Sequence, residues 1–358
     1  MRPGPAPRPP AVAGDALRER LRRLPKTELH LHALGALRPA TTVELARRAG
    51  SPVLAAAERA AAEGYAFDDL PHFVEFFIGL FGLVTTPADF ERVAWEVAED
   101  LAALGVRYAE VRWTPTSHTA RGATVDGMWA GLEAARAQVE RRLPLTLRWV
   151  VDFPRSLPLA VGEAACGIAV ATRDRGTVAF DVAGDERAVG AEPRFAALFR
   201  RARAAGLGCL AHAGEAAGPE SVAAALDLWG VDRIGHGTRA IEDAALVARL
   251  ARGTVPLEVC PTSNEALGVV PSVAAHPVVE LLRRGVPVVV SSDDPTLFGT
   301  DVVREHERLH LEAGVPLDTL GRLAAASFLQ ASLPAAERHE RFADVAREAV
   351  AWSEAACA

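Results

Sequence analysis

Seven side chains able to ligate a metal or move a proton fall in four short stretches. They are His30 and His32 in TELHLH, His212 and Glu215 in AHAGE, His236 in IGHG, and Asp293 and Asp294 in VVVSSDDP. On a strand, residues two apart project from the same face, so the rings of His30 and His32 would converge on one spot. Neutral imidazole is the commonest metal ligand. Taken alone, such a pair reads as two ordinary histidines at a strand end, and His212 alone reads as a core histidine. Asp293 follows three valines and two serines, and a carboxylate buried there is costly unless it is paired or metal-bound. Its other reading is a helix N-cap, a role that suits Asp294, directly before Pro295, better. Glu215 alone would be a surface residue after a turn, but three residues beyond a candidate ligand it is placed to donate a proton. Three imidazoles and a carboxylate together suit zinc or another borderline divalent ion.

The elements that must position these groups follow from hydrophobic period. Short β-branched or apolar runs at 27–32, 106–113, 146–152, 177–183, 208–212, 232–237, 256–260 and 286–292 alternate with Ala/Arg/Glu-rich stretches of helical period such as 90–104 and 276–285. Eight strands, most followed by a helix, predict an α/β fold, a (β/α)8 barrel. A helical insertion over about residues 35–105 follows the first strand and carries the aromatic cluster PHFVEFFIGLF. In such barrels the active site gathers at the C-terminal strand ends, and the four candidate stretches all lie there.

Composition narrows the classes. The chain has 358 residues, is 50% hydrophobic and carries a net charge of −7, enough for one large core and contrary to a nucleic-acid footprint. Residues 1–15 are rich in Pro and Arg and are expected to form a disordered tail, with one domain over 16–358. The opening residues lack the apolar stretch of a signal peptide, and no run of about 18 apolar residues occurs, so a cytoplasmic protein without membrane contact is expected. The four cysteines show neither a CxxC pair nor a disulfide spacing. The oligomeric state is left open. Lys26 is the only lysine and precedes the first strand end. No lysine therefore stands at a strand end to bridge two ions, which points to a single metal. One ion with an open coordination position lowers the pKa of a bound water toward neutrality and makes a hydroxide nucleophile.

With these residues in place, the chain resembles the adenosine deaminase family of metal-dependent amidohydrolase barrels over roughly residues 24–335. The resemblance rests on PKTELHLH (25–32), FDVAGDE (180–186), AHAGE (211–215), RIGHGT (233–238), LEVCPTSN (257–264) and SSDDPTLFGT (291–300). It implies that His30, His32, His212 and Asp293 hold one zinc ion, and that Glu215 protonates N1 of an adenine ring while hydroxide adds at C6 and ammonia leaves. It further implies that His236 orients the attacking water and helps move its proton, that Asp294 contacts N7, and that the Gly184 backbone contacts N3. Leu70, Phe73, Val74 and Phe77 match the wall over the apolar side of the purine pocket. Aromatic residues at helical spacing are equally expected in a core.

One departure bears on the substrate. After the second histidine, family members usually carry a bulky apolar residue and then an acid that bonds the ribose 5′-hydroxyl. This chain has Ala33 and Leu34. A hydroxyl buried without a partner costs on the order of 1–3 kcal/mol. The resemblance thus implies a 5′-modified adenine nucleoside, such as aminodeoxyfutalosine with its carboxyphenyl-ketone arm, 5′-deoxyadenosine or methylthioadenosine. Arg38 and Arg112 are candidates to receive a carboxylate on such an arm. The alternatives are adenosine or 2′-deoxyadenosine in purine salvage, free adenine, and a non-catalytic nucleoside-binding barrel, which a complete set of ligands and a proton donor argue against.

Overall fold

The computed structural model describes residues 11–67, 70–190 and 192–357. Eight strands form one all-parallel sheet in sequence order: β1 (Lys26–His32), β2 (Val106–Trp113), β3 (Thr146–Pro154), β4 (Thr177–Ala183), β5 (Gly208–Ala213), β6 (Arg233–His236), β7 (Leu257–Val259) and β8 (Val288–Val290). The sheet closes through an isolated parallel bridge between Leu31 and Asp293. There His32 N donates to Asp293 O and Asp293 N to His30 O, each at 2.9 Å. The barrel closure therefore runs through the candidate ligands themselves.

Each strand alternates in the way a barrel requires. In β1, Leu29 and Leu31 pack outward among apolar residues, while Glu28 and His30 face inward, all of them buried. The layer between sheet and helices is filled by Trp113, Trp149, Phe153, Phe180 and Phe199. The last three strands are shorter than the apolar runs suggest. Two of them run into left-handed backbone, with φ of 62° at His236 at the end of β6 and 64° at Asp293 beyond β8.

The connection from β1 to β2 is helical: after a short 3-10 turn at Leu34–Ala36 come α2 (Pro39–Ala49), α3 (Leu54–Glu63), α4 (Leu70–Leu80) and α5 (Pro87–Ala103). Thr86 and Asp89 form a reciprocal capping box that starts α5. Helix α1 (Ala11–Arg23) precedes the barrel and begins within the stretch expected to be a tail; positions 1–10 lie outside the described residues. Lys26 sits at the start of β1, where its Nζ donates to Leu104 O at 2.6 Å, far along the strand from the histidines. Cys166, Cys209 and Cys260 are buried free thiols. Among the described residues no helix is long and apolar enough to cross a membrane.

Candidate active site and metal centre

The rim of the barrel brings His30, His32 and Asp293 together, and ring nitrogens or a carboxylate oxygen from the three lie within 4.8 Å of one another. His212 joins them: its Nε2 is 3.2 Å from Nε2 of His32. Asp293 Oδ1 is 3.4 Å from His30 Nε2 and 3.5 Å from His32 Nε2. These spacings match the edge of a tetrahedron with ligands at about 2.0–2.1 Å, which is about 3.3 Å. His30 Nε2 is buried and makes no hydrogen bond. Two ring nitrogens facing each other need a proton or a cation between them. Burial works against a charged His32, but the Asp152 hydrogen bond with the charges of Asp294 and Asp293 raises it to about 9. Burial lowers His212 to about 3. One shared proton thus satisfies the pair, and a divalent ion would satisfy it in the proton's place. Gly235 is required here, since a Cβ would come within 2.7 Å of the His30 ring.

Behind each imidazole stands a carboxylate that sequence reasoning had not placed. His30 Nδ1 donates to Glu258 Oε2 at 2.8 Å, and Glu258 is held well below the usual carboxylate range: burial opposes this, but Arg112 and Arg233 prevail. His32 Nδ1 lies 3.4 Å from Asp152 Oδ2, and His212 Nδ1 lies 3.4 Å from Asp181 Oδ2. Such partners turn Nε2 toward the rim as a lone pair. Ser263 Oγ donates to Asp293 Oδ2 at 2.7 Å and leaves Oδ1 facing the histidines. Arg112 ties this layer together by donating to Asp181 Oδ2, Glu258 Oε2 and Leu29 O, each at 2.7 Å. The expectation that Arg112 serves the pocket mouth is therefore corrected: it is 1% exposed, inside the barrel, and fully paired. Arg38 is paired as well, to Glu99 at 3.0 Å and Asp100 at 2.7 Å on the outer surface, leaving no free fork for a carboxylate arm.

The proton-handling groups converge on the same rim. Glu215 Oε2 is 3.6 Å from His236 Nε2, and burial raises the Glu215 carboxyl above its ordinary value. The loop carrying Glu215 is fixed by Glu186, a buried residue whose carboxylate accepts backbone N–H groups of Gly214, Glu215, Ala216 and Ala217 at 2.8–3.2 Å. It also accepts the Ser221 hydroxyl at 2.5 Å. Asp294 occupies the N-cap position of Pro295–Phe298 but makes no capping hydrogen bond; its Oδ1 is buried without a partner. Burial and then the neighbouring Asp293 push the Asp294 carboxyl well above its ordinary value. Gly35 allows this approach, because a Cβ there would meet Asp294 Oδ1 at 1.8 Å. Gly184 follows β4 with φ of 91°. His236 and Asp293 are the only non-glycine residues with positive φ among the described residues. Backbone strain of this kind concentrates at functional sites.

A family model described as adenosine deaminase matches residues 25–348. The chain belongs to the adenosine deaminase family, and it is a hydrolytic deaminase. It is 41% identical over 285 residues to aminodeoxyfutalosine deaminase of Streptomyces coelicolor, spanning 79% of this chain and 73% of that protein. It is 38% identical over 330 residues to adenine deaminase of Rhodospirillum rubrum, spanning 91% of this chain and 98% of that one. An amidohydrolase from Burkholderia ambifaria, solved with bound zinc, superposes with a TM-score of 0.87 at 27% identity, covering 95% of this chain and 94% of that one.

In this deaminase the insertion forms an aromatic wall beside the rim. Phe77 meets His32 edge-on with centroids 6.2 Å apart, and Phe73 stacks on Phe298 at 5.0 Å. Val74, expected in the same wall, is instead 41% exposed, on the face of α4 that also exposes Ile78. The Leu70 side chain lies outside the described residues. Ala33 and Leu34, directly after the ligand strand, are 1% and 3% exposed.

Proposed function

We propose that this enzyme uses one zinc ion to deaminate C6 of an adenine nucleoside whose 5′ carbon bears an apolar or aromatic group, of the aminodeoxyfutalosine type. The observation that carries the reading is the pair Ala33 and Leu34, both buried beside His32 and neither able to bond a 5′-hydroxyl. The likeness to the Streptomyces protein supports it.

His30, His32, His212 and Asp293 would hold the ion. Zinc in such a ligand set supplies a water activated for addition near neutral pH. The chain's own groups do the rest. Glu215, whose carboxyl burial raises above its ordinary value, passes a proton to purine N1 and makes C6 electrophilic. Asp294, whose carboxyl burial and the neighbouring Asp293 push well above its ordinary value, donates to N7, an atom that can only accept. The backbone N–H of Gly184 addresses N3, and Phe73 and Phe77 cover the apolar side. His236 faces the oxygen that adds to C6.

Free adenine is the second reading. It needs no 5′ partner, and the likeness to the Rhodospirillum protein extends over nearly the whole of both chains. Ammonia release from zinc-loaded protein separates the two across adenosine, 2′-deoxyadenosine, 5′-deoxyadenosine, methylthioadenosine, aminodeoxyfutalosine and adenine. A 5′-modified nucleoside should lead adenosine in kcat/KM by tenfold or more, about 1.4 kcal/mol. Adenine in the lead supports the second reading, and adenosine in the lead refutes both.

A further inference from the structure

The ring of His236 ends a hydrogen-bond chain that starts on a backbone amide, and the start decides every link. Val278 N–H donates to His276 Nδ1 at 3.1 Å. A backbone N–H can only donate, so His276 Nδ1 is bare and this buried ring carries its single hydrogen on Nε2. That nitrogen is 3.1 Å from Asn264 Oδ1, which also receives the Thr238 hydroxyl at 2.7 Å. The partner of an N–H must accept, so the amide oxygen of Asn264 faces His276 and its NH2 faces His236. Asn264 Nδ2 is 3.2 Å from His236 Nδ1. An amide NH2 can only donate, so His236 Nδ1 is an acceptor and the neutral ring has its hydrogen on Nε2. Asn264 is 0% exposed and His236 1%, which keeps solvent from rewiring the chain. Burial lowers His276 to about 4, in keeping with a neutral ring.

We infer that His276 and Asn264 are positioning residues that hold His236 in its Nε2–H form, so that His236 donates a hydrogen bond to the oxygen adding at C6 and does not take its proton. The inference rests on the deamination proposed above, and it assigns both proton transfers to Glu215, whose Oε2 lies 3.6 Å from the same Nε2. Water loses one proton to the Glu215 carboxylate, which passes it to N1 as the oxygen bonds to C6. The carboxylate then takes the second proton from the new C6 hydroxyl and delivers it to the amino nitrogen. The C6–N bond breaks, ammonia leaves, and the product keeps the carbonyl at C6 and the hydrogen on N1. Oxygen and both protons of water are thereby accounted for, and His236 ends as it began.

The test is ring-nitrogen NMR on the full-length protein, with and without zinc, with His236 identified by comparison with His236→Gln. The expected result is a protonated Nε2 and a bare Nδ1 on His236 in both samples. In Asn264→Asp, a carboxylate that accepts should draw the hydrogen onto Nδ1. It should also lower kcat by about 10²-fold or more, the scale of a misplaced imidazole hydrogen, with KM and zinc content little changed. His276→Gln keeps a donor toward Asn264 Oδ1 and should retain both the tautomer and kcat within about threefold. A wild-type His236 protonated on Nδ1 overturns the inference, as does an equal loss of kcat in both variants. If the hydrogen is on Nε2 but no adenine compound in the panel is turned over, the proposed reaction fails and the tautomer assignment stands.

Discussion

Two layers of polar side chains are stacked inside this barrel, and they are built on opposite terms. In the lower layer Arg112, Arg233, Glu110 and Glu258 use every nitrogen and oxygen on one another or on nearby groups. Arg233 bonds Glu258 and Glu110 as well as Gln330 O and Ser332, and Glu110 also receives the hydroxyl of Tyr108. In the upper layer His30 Nε2 and Asp294 Oδ1 have no partner, His212 and His32 oppose nitrogen to nitrogen, and two backbones are left-handed. A buried polar group left unpaired costs about 1–3 kcal/mol, so the upper layer is kept against its own stability. The lower layer makes that tolerable by fixing the rings from behind. The comparison teaches where chemistry is to be expected: at the layer whose hydrogen bonds are incomplete.

If that division is right, substitutions in the two layers should fail differently. Glu215→Gln in the upper layer should lower kcat by about 10²–10⁴-fold while zinc content and Tm hold, because the amide keeps the shape and loses only the proton. A fall in Tm matching the fall in kcat would erase the distinction. Arg112→Met in the lower layer should do the reverse first. It takes from Asp181 its guanidinium and from Glu258 one of two, both depressed carboxylates, and should cost about 3–5 kcal/mol in urea unfolding before any rate is measured.

The sequence shows these layers unequally. The strands are legible because apolar runs such as VPVVV and TVAFDVA are short and interrupted by turns, and the ligands are legible because they stand at those interruptions. The lower layer is not. Glu258 meets His30 across 228 positions, and only the closed sheet brings them together. Arg112 sits in VRYAEVRW, where alternation alone cannot say which face is the inside of a barrel. Glu186 stands two residues from Gly184 in a stretch that signalled purine binding, and its grip on the Glu215 loop is visible only in space. The role of Leu34 is legible only against relatives, since a buried leucine after a strand is otherwise ordinary.

Smaller effects sharpen the same contrast. His118 and His306, buried away from the rim, are lowered to about 4 by burial. The unfolded chain takes up protons near 6.5 that the folded one refuses until about 4, so the contribution of these two rings should be full above pH 6.5 and fall as pH drops through this window. At most about 1.4 kcal/mol per pH unit is lost for each ring. Glu28 and Glu305, raised by burial to about 8 and about 7, work the other way, so the test is a comparison with His118→Gln: a gap in urea midpoint that does not change between pH 6.5 and 5 would contradict neutral burial. Asp152→Asn, behind His32, should weaken zinc affinity by about 10–100-fold, measured by competition with a chelator. An unchanged affinity would detach Asp152 from the metal centre.

The smallest effect decides the substrate. Leu34→Glu supplies an acceptor beside His32, where the wild type presents buried hydrocarbon. For adenosine the new carboxylate would pair the 5′-hydroxyl, and kcat/KM should rise by about tenfold, the worth of one buried hydrogen bond. For a nucleoside with an apolar or aromatic 5′ arm the same change puts a charge against hydrocarbon, and kcat/KM should fall by a similar factor. The ratio of the two therefore moves by about a hundredfold, in opposite directions for the two substrates, which loss of folded protein cannot imitate. Turnover of adenine, which has no 5′ end, should change least. If all three fall together, residue 34 only fills the core beneath the rim, and the departure at Ala33 and Leu34 does not read the substrate.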